Sequence, residues 1–363
     1  MKLLVINPGS TSSKISLYEE KNLLFEEDVF HDADVLLQYP TVNDQIPFRK
    51  QLIEKMIVEH GYSLEDIDVY VGRGGSAVPC QSGVMEINEQ LYKDTKNEVG
   101  GSQHPAKLGV MMAYQFGQQF NKPCYTLNPT NVDELDDIAR ITGIAGVYNN
   151  AQSHVLNQKA VAMHHSELMG RKYEESDYIV CHIDGGITVN AHHLGRMIDG
   201  NVGAGGSGAF TPTRIGDVPV LRLLDYLENH SIEEVRTMCS RSGGFVSHFG
   251  TSNSDTIYKM VEDGDEKATL IWNAMIYQIC KQIGAMSTVL KGHVDAIILT
   301  GGLVRFDSIV NQIKERCGWI SDIYVYPGEM EQQSLAFEVL KVLHGNQTAK
   351  QYTGQPVFKG FDF

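Results

Sequence analysis

Hydrophobic and polar positions fall into two similar layouts. From Lys2 to Tyr18 an apolar run, Leu3-Leu4-Val5-Ile6, meets a small polar stretch, Asn7-Pro8-Gly9-Ser10-Thr11-Ser12-Ser13, and then alternates at Ile15 and Leu17. From Tyr178 to Asp199 the run Ile179-Val180-Cys181 meets Asp184-Gly185-Gly186 and alternates at Ile187, Val189 and Ala191, with a third short strand around Arg196–Ile198. Each pattern predicts a β-hairpin closed by a small-residue turn. The two lie about 175 residues apart, which predicts a duplicated fold with one hairpin opening each half. Short-period repeats and low-complexity tracts are absent from the sequence.

Strand and helix patterns alternate along the rest of the chain. Asp68–Gly72 and Pro123–Leu127 read as buried strands, and Pro105–Phe120 as a helix carrying Leu108, Met111, Met112 and Phe116 on one face. Glu134–Ile141 and His154–Met169 are further helix candidates. In the second half Val220–Leu227, Ile232–Cys239 and Glu266–Leu290 read as helices. Asp295–Thr300 reads as a strand running into Gly301-Gly302, and Tyr324–Tyr326 as another. The terminal helix, Glu331–Leu343, is expected to pack back on the first domain. An α/β protein with two similar lobes follows, and the cleft between lobes is the default site.

Length and composition agree with this picture. At 363 residues, 42% hydrophobic and 21% charged, the chain has the make-up of a globular protein with two ordinary domains. Its formal charge of −15 argues against tracking a nucleic acid or an anionic membrane, which demand a basic face, yet leaves room for a local anion site. The cysteines (Cys80, Cys124, Cys181, Cys239, Cys280, Cys317) contain no Cys-x-x-Cys pair, so a zinc ribbon or redox dithiol is not indicated. The first residues go straight into a strand pattern without a basic leader, and no apolar run approaches the roughly 18 residues of a membrane span. A cytoplasmic location is expected.

Candidate chemistry concentrates in loops. Asn7 to Lys14 joins two strands with four hydroxyls and a glycine: small residues let backbone N–H groups converge on an anion, while a plain hairpin turn would use the same residues. His182-Ile183-Asp184-Gly185-Gly186-Ile187-Thr188 repeats the idea, and Thr300-Gly301-Gly302 ends a strand where a flat ring could lie on bare backbone. Arg73, between glycines, and Arg214, in Thr211-Pro212-Thr213-Arg214-Ile215-Gly216, are held in rigid loops suited to a carboxylate or phosphoryl group, or to a surface ion pair. Glu329 and Glu331 are first-turn carboxylates or metal ligands. Gly203-Ala204-Gly205-Gly206-Ser207-Gly208 fits Gly-x-Gly-x-x-Gly but lacks the flanking strand and helix, and reads as a mobile loop; no P-loop motif is present. The His164-His165 and His192-His193 pairs lack zinc spacing and read as solvent or core residues.

Together these stretches resemble the butyrate kinases, in the acetokinase (acetate kinase) branch of the sugar-kinase/Hsp70/actin superfamily. The likeness is carried by Val5 to Lys14, Gly72-Arg73-Gly74-Gly75, His154-Val155-Leu156-Asn157-Gln158-Lys159-Ala160 and Leu290 to Gly302, and runs on to Tyr352-Thr353-Gly354. It implies a duplicated ribonuclease H-like (actin-like ATPase) α/β fold, with two lobes around an interdomain nucleotide cleft. One lobe would be 1–155 plus 332–363 and the other 156–331. The implied reaction is reversible phosphoryl transfer from ATP, with Mg²⁺, to a short-chain carboxylate (butyrate or a branched acid of four or five carbons), giving acyl phosphate and ADP. A homodimer or higher homo-oligomer is also implied.

Roles follow by resemblance. Asn7, Ser10, Ser12 and Lys14 would lie along the phosphates, with Gly185 and Gly186 in the second phosphate loop. Arg73 and Arg214 would hold the carboxylate and the moving phosphoryl group. His182 would hydrogen-bond that group, with His154 nearby. Gly301 and Gly302 would lie against the adenosine. Glu331 would position Mg²⁺, with Asp184 and Glu329 as alternative ligands.

The chain departs from its relatives twice. Asp184 stands where the family shows the first glycine after His-Leu, and Asn128, in Leu127-Asn128-Pro129, stands where the butyrate kinases carry an aspartate tied to metal and phosphoryl geometry. Three readings follow: Asp184 turns outward; catalysis is weakened, leaving a nucleotide-binding homologue with a scaffold or regulatory role; or Asp184 replaces the carboxylate lost at Asn128. A sugar or glycerol kinase is a further reading, and it would need a general base for the acceptor hydroxyl.

Overall fold

The computed structural model describes residues 1–9, 12–74, 77–99, 101 and 105–362. They form two compact units, Met1–Asp133 with Met330–Phe363, and Glu134–Glu329. In the first unit, β1 (Lys2–Pro8), β2 (Ser12–Glu19), β3 (Asn22–Phe30), β4 (Val69–Gly72), β5 (Val84–Glu86) and β6 (Cys124–Leu127) build one sheet in the order β3-β2-β1-β4-β6-β5. In the second, β7 (Asp177–Ile183), β8 (Ile187–His193), β9 (Arg196–Gly200), β10 (Ala296–Gly301) and β11 (Ile323–Pro327) run in the order β11-β10-β7-β8-β9.

The duplication expected from the two hairpins is present in the topology. Without the edge strand β5, the first sheet reads β3-β2-β1-β4-β6 and the second β9-β8-β7-β10-β11. In each, a three-stranded antiparallel meander is joined through its first strand to two parallel neighbours. β1 and β7 are the central strands, which is why Leu3–Ile6 and Ile179–Cys181 are unbroken apolar runs, fully buried, rather than alternating patterns.

Helices cover the sheets within each unit. Lys107–Phe120 presses its backbone onto β4: a Cβ on Gly72 would meet Gly109 O at 2.2 Å, and one on Gly109 would meet Arg73 O at 2.5 Å and Ile6 O at 2.9 Å. Two glycines thus fix the height of the helix over the strand ends that carry Asn7 and Arg73. In the second unit Glu266–Val289 buries Trp272, Ile276, Ile279 and Ile283 in a core that Ile179, Val189, Phe245 and Ile313 share.

The structure moves the expected boundaries. Glu134 to Gln152 goes with the second unit, because Asp136 N donates to Ile198 O, Met197 N donates to Glu134 Oε2 and Gly203 N donates to Gln152 O. The two ties to β9, at Glu134 and Asp136, leave of the helix expected over Glu134–Ile141 only the single turn Asp137–Arg140. At the other end the first unit resumes at Met330, so Glu331 belongs with Asn7 and Arg73 and not with the second lobe. Helix Glu331–Leu343 has the limits its pattern predicts and packs on β1, β4 and β6 of the first unit.

Candidate active site

In parallel strands, ligands gather at the carboxyl ends, and nearly all the candidate residues lie there. β1 ends in Asn7-Pro8, and β4 ends one residue before Arg73, whose N–H still donates to Ile6 O at 2.9 Å. Glu331 opens its helix, where a carboxylate is favoured by the helix dipole. The three side chains close on one another: Arg73 Nη2 lies 2.8 Å from Glu331 Oε1, Asn7 Nδ2 donates to Glu331 Oε2 at 2.9 Å, and Arg73 Nη1 donates to Asn7 Oδ1 at 3.3 Å. Glu331 is only 2% exposed. Both its oxygens serve this triad, so the carboxylate expected to position a metal neutralises the arginine expected to hold substrate.

The first loop is tight: Gly9 N donates to Ser12 O at 2.9 Å. Ser10, Thr11 and Gly75 lie outside the described residues. Ser12 and Lys14 stand partly buried on β2, with Lys14 opposite Asn7 in the register. Behind the loop Arg49 is fully buried and donates from Nη1 to Ser12 O (2.7 Å) and Ser13 Oγ (3.0 Å), while Ser13 Oγ also meets His31 Nε2 at 2.9 Å. Burial lowers Arg49 to about 10, and burial reinforced by the Arg49 charge lowers His31 to about 4. Asn128 holds a left-handed backbone (φ 40°), and its Oδ1 accepts from Ser82 Oγ (3.1 Å) and Gly83 N (2.7 Å). It ties down the approach to β5; among the described residues its side-chain bonds go to Ser82 and Gly83 and not to the Asn7–Arg73–Glu331 triad.

In the second unit His182, near the end of β7, lies under His154, with ring centroids 3.9 Å apart and planes 13° apart. Thr300 Oγ1 donates to Gly328 O and accepts from Asn157 Nδ2 at 3.2 Å, which orients the Asn157 amide. The same Nδ2 stands 3.0 Å from His182 Nδ1, so Nδ1 accepts and Nε2 carries the proton. The ring is thereby set to donate from Nε2, as an oxyanion requires.

Asp184 does not turn outward. Its Oδ2 accepts from Gly302 N and its Oδ1 from Gly185 N, both at 2.7 Å. The carboxylate fills the space beside Gly302, where a Cβ would meet Oδ2 at 2.7 Å, and Gly301 (φ 96°) presses on Ile183 O. Tight packing is therefore one physical reason for both glycines. Gly186 makes room for Arg214: a Cβ there would meet Nη1 at 2.4 Å, while open space surrounds the same position on Gly185. Arg214 Nη1 donates to Gly203 O, its Nε is buried without a partner, and among the described residues no carboxylate pairs with it. Burial lowers its pKa. The loop from Asn201 to Gly208 is tied rather than loose, with Val202 N donating to Ser207 Oγ at 2.8 Å.

His182, Asp184 and Glu329 bring ligand-type atoms within 4.8 Å of one another. The carboxylate oxygens of Asp184 and Glu329 suit Mg²⁺, a hard cation. His182 does not join them, because a ligating imidazole needs its Nε2 lone pair, and the Asn157 bond assigns a proton there.

Asn157, Thr188 and Gly203 lie inside the sequence motifs but receive no individual role from them, and Arg49 lies in none. Asn157 had a signal: Asn157-Gln158-Lys159 places three polar residues in a row at the start of a helix, and all three are buried. Among the remaining histidines, His192 is fully buried, His193 Nδ1 meets Asp177 Oδ1 at 2.6 Å, and His165 Nδ1 meets Tyr326 Oη at 2.8 Å. The six cysteines are free thiols, all buried except the half-buried Cys239. No helix among the described residues is long and apolar enough to cross a membrane.

Residues 146–315 match the model of the acetokinase family. Among solved structures, the chain is similar to acetate kinase from Porphyromonas gingivalis, with a TM-score of 0.77, 18% identity, and coverage of 94% of this chain and 99% of that one. It is similar to a propionate kinase from Francisella tularensis subsp. tularensis, with a TM-score of 0.74, 16% identity and coverage of 93% and 98%. Acetate kinase from Entamoeba histolytica gives a TM-score of 0.72, 15% identity and coverage of 94% and 99%. The segment 146–315 thus carries the acetokinase-family pattern, and the chain has the duplicated two-domain α/β fold that acetate kinases share with sugar kinases and actin-like ATPases.

Proposed function

We propose that the protein transfers a phosphoryl group between ATP and a short-chain carboxylate, with linear or branched acids of four or five carbons as preferred substrates. The observation that carries this reading is Arg214: a largely buried guanidinium laid across Gly186 of the second glycine loop, with an unsatisfied Nε and no carboxylate paired to it among the described residues. A buried cation of this kind is suited to an anion that arrives with the substrates. Phosphoryl transfer needs positioning and positive charge on spreading oxygen charge more than covalent help.

The acceptor class follows from the carboxylates. An alcohol acceptor needs a general base, whereas a carboxylate is already an anionic nucleophile. Glu331 is engaged by Arg73 and Asn7, and Asp184 by two backbone N–H groups. Neither is placed as a base, which favours an acid over a sugar. In this reading Arg73 and Arg214 hold the carboxylate and the phosphoryl group, His182 donates from Nε2 to a phosphoryl oxygen, and Asn7, Ser12 and Lys14 line the phosphates. The backbone of Gly301 and Gly302 lies towards the adenosine. Magnesium, held through oxygens such as those of Asp184 and Glu329, would supply further positive charge at the phosphates.

One observation favours a second reading, a nucleotide-binding protein with little turnover: Asp184 occupies the amide of Gly185, in the loop read as the second phosphate cradle. An acyl-phosphate assay trapping product with hydroxylamine, run with ATP, Mg²⁺ and acids of two to six carbons, separates the two. Turnover peaking at four or five carbons supports the kinase. Silence across the panel, with ADP binding still seen by calorimetry, supports the second reading.

A further inference from the structure

The second stacked ring, His154, is held by a chain of buried hydrogen bonds running away from the site. Its Nδ1 lies 2.9 Å from Thr188 Oγ1, and Thr188 Oγ1 lies 2.7 Å from Gln158 Nε2. Gln158 Oε1 lies 3.0 Å from His192 Nε2, and His192 Nδ1 lies 2.8 Å from Tyr173 Oη. Gln158, Thr188 and His192 have no exposed surface, and Tyr173 is buried.

The direction of every bond in this chain can be assigned. Gln158 Nε2 also faces two acceptors, Thr188 O at 3.1 Å and Asn190 Oδ1 at 2.9 Å, which fixes which end of the amide is nitrogen. Its Oε1 must then receive a proton from His192 Nε2. Burial together with the Lys159 charge keeps His192 neutral, so its Nδ1 accepts from the Tyr173 hydroxyl. At the other end Gln158 donates to Thr188 Oγ1. The Thr188 proton cannot return to a donor nitrogen, and the remaining neighbour able to accept it is His154 Nδ1. His154 therefore carries its own proton on Nε2, as His182 does.

We propose that Gln158 is a positioning residue that acts through Thr188 to lock His154 in the Nε2–H form, so that the stacked pair His154–His182 presents two fixed Nε2–H donors to an anionic substrate. A lone imidazole in water interconverts its tautomers freely and takes up a proton near neutral pH. The buried chain Tyr173–His192–Gln158–Thr188 holds the Nδ1 of the second ring as an acceptor and so fixes its donor end. The catalytic meaning of this lock rests on the phosphoryl-transfer reading; the tautomer itself does not.

The test is a two-bond ¹H–¹⁵N spectrum of the full chain labelled in histidine, read beside kinetics. Wild-type protein should show His154 and His182 both with Nε2 protonated and Nδ1 bare. In Gln158→Glu the carboxylate accepts from both His192 and Thr188, Thr188 then accepts from His154, and the His154 pattern should change to Nδ1–H. Turnover should fall at least tenfold in that variant, with KM for ATP within about threefold. Because a buried carboxylate can unfold the unit, Thr188→Val and Thr188→Ser provide a second pair: the valine variant should lose the wild-type His154 pattern and the serine variant should keep both pattern and turnover. An Nδ1–H signal for His154 in the wild type, or an unchanged pattern in folded Gln158→Glu or Thr188→Val, overturns the lock. A changed tautomer with undiminished turnover overturns its positioning role. If the wild type turns over no acid, the kinase reading fails, and the spectra still decide the lock.

Discussion

Removing the Asp184 charge should tighten binding of metal-free ADP. In the free protein the carboxylate accepts from Gly302 N and Gly185 N at 2.7 Å each. A phosphate oxygen that took the Gly185 amide, in the loop read as the second phosphate cradle, would sit about 2.9 Å from that nitrogen, which places the two anions roughly 5 Å apart. At an effective dielectric near 20, unit charges at that distance repel by about 3 kcal/mol. Salt and movement of Asp184 reduce this, so Asp184→Gly and Asp184→Asn should each raise ADP affinity in EDTA by about 10- to 100-fold. Isothermal titration calorimetry reads the effect directly. The asparagine variant separates charge from bulk, since it keeps the shape and an acceptor oxygen. A gain in the glycine variant alone would assign the effect to space. Unchanged or weaker ADP binding in both variants, with melting temperatures retained, would refute the argument that Asp184 and a phosphate compete for one amide.

Other consequences can be checked separately. Arg214→Ala should cut turnover by about 10³–10⁵, by analogy with arginine fingers, or roughly 4–7 kcal/mol, while calorimetry finds ADP affinity little changed; near-normal turnover would remove Arg214 from the mechanism. Glu331→Gln leaves the guanidinium of Arg73 without its carboxylate in a site where Glu331 is 2% exposed, and should cost about 3 kcal/mol in urea unfolding. Unaltered stability would show that water already satisfies the pair. His31 sits at about 4 in the folded chain against 6.5 when exposed. The unfolded chain therefore takes the proton first on acidification, and stability rises with pH across that window. The His31 contribution, on the order of 2 kcal/mol, is lost as pH falls from 6.5 towards 4. Unfolding at pH 7 and pH 4 should show that slope reduced in His31→Gln, and an equal slope in both proteins would assign it to other groups.

How much of this is legible in the sequence depends on where a signal is local. The hairpins at β1 and β7 read clearly because their strands are buried on both faces and their turns are built of small residues. Helix Glu331–Leu343 reads clearly because its apolar face is regular. β3 does not: it is an edge strand in which only Phe25 is buried, so its pattern is that of a surface segment. The helix Ile46–Glu59 is hidden by Arg49, a charged residue at the centre of its buried face. In the site, the glycines are visible as loop signals, but what each makes room for is not. The guanidinium over Gly186 comes from 28 positions further on, and the carboxylate beside Gly302 comes from 118 positions before it. Contacts at such separation leave no periodicity to read.

The same limit applies to the two departures from the family pattern. Read along the chain, a carboxylate lost at Asn128 and one gained at Asp184 suggest an exchange. In the structure each has a local task within its own unit. Asn128 Oδ1 accepts from Ser82 and Gly83, in a left-handed turn that asparagine tolerates well. Asp184 bridges the β7–β8 turn to the end of β10 through Gly185 and Gly302. An uncharged amide oxygen is enough for the first task. The second is strengthened by charge, because a carboxylate bonds backbone N–H groups more strongly than a neutral acceptor does. Each residue type thus matches the hydrogen bonds it makes, and neither needs the other to explain it. An exchange would require Asp184 to leave Gly302 when metal and nucleotide arrive, and that movement is what the comparison of ADP affinity with and without Mg²⁺ in Asp184→Asn would expose.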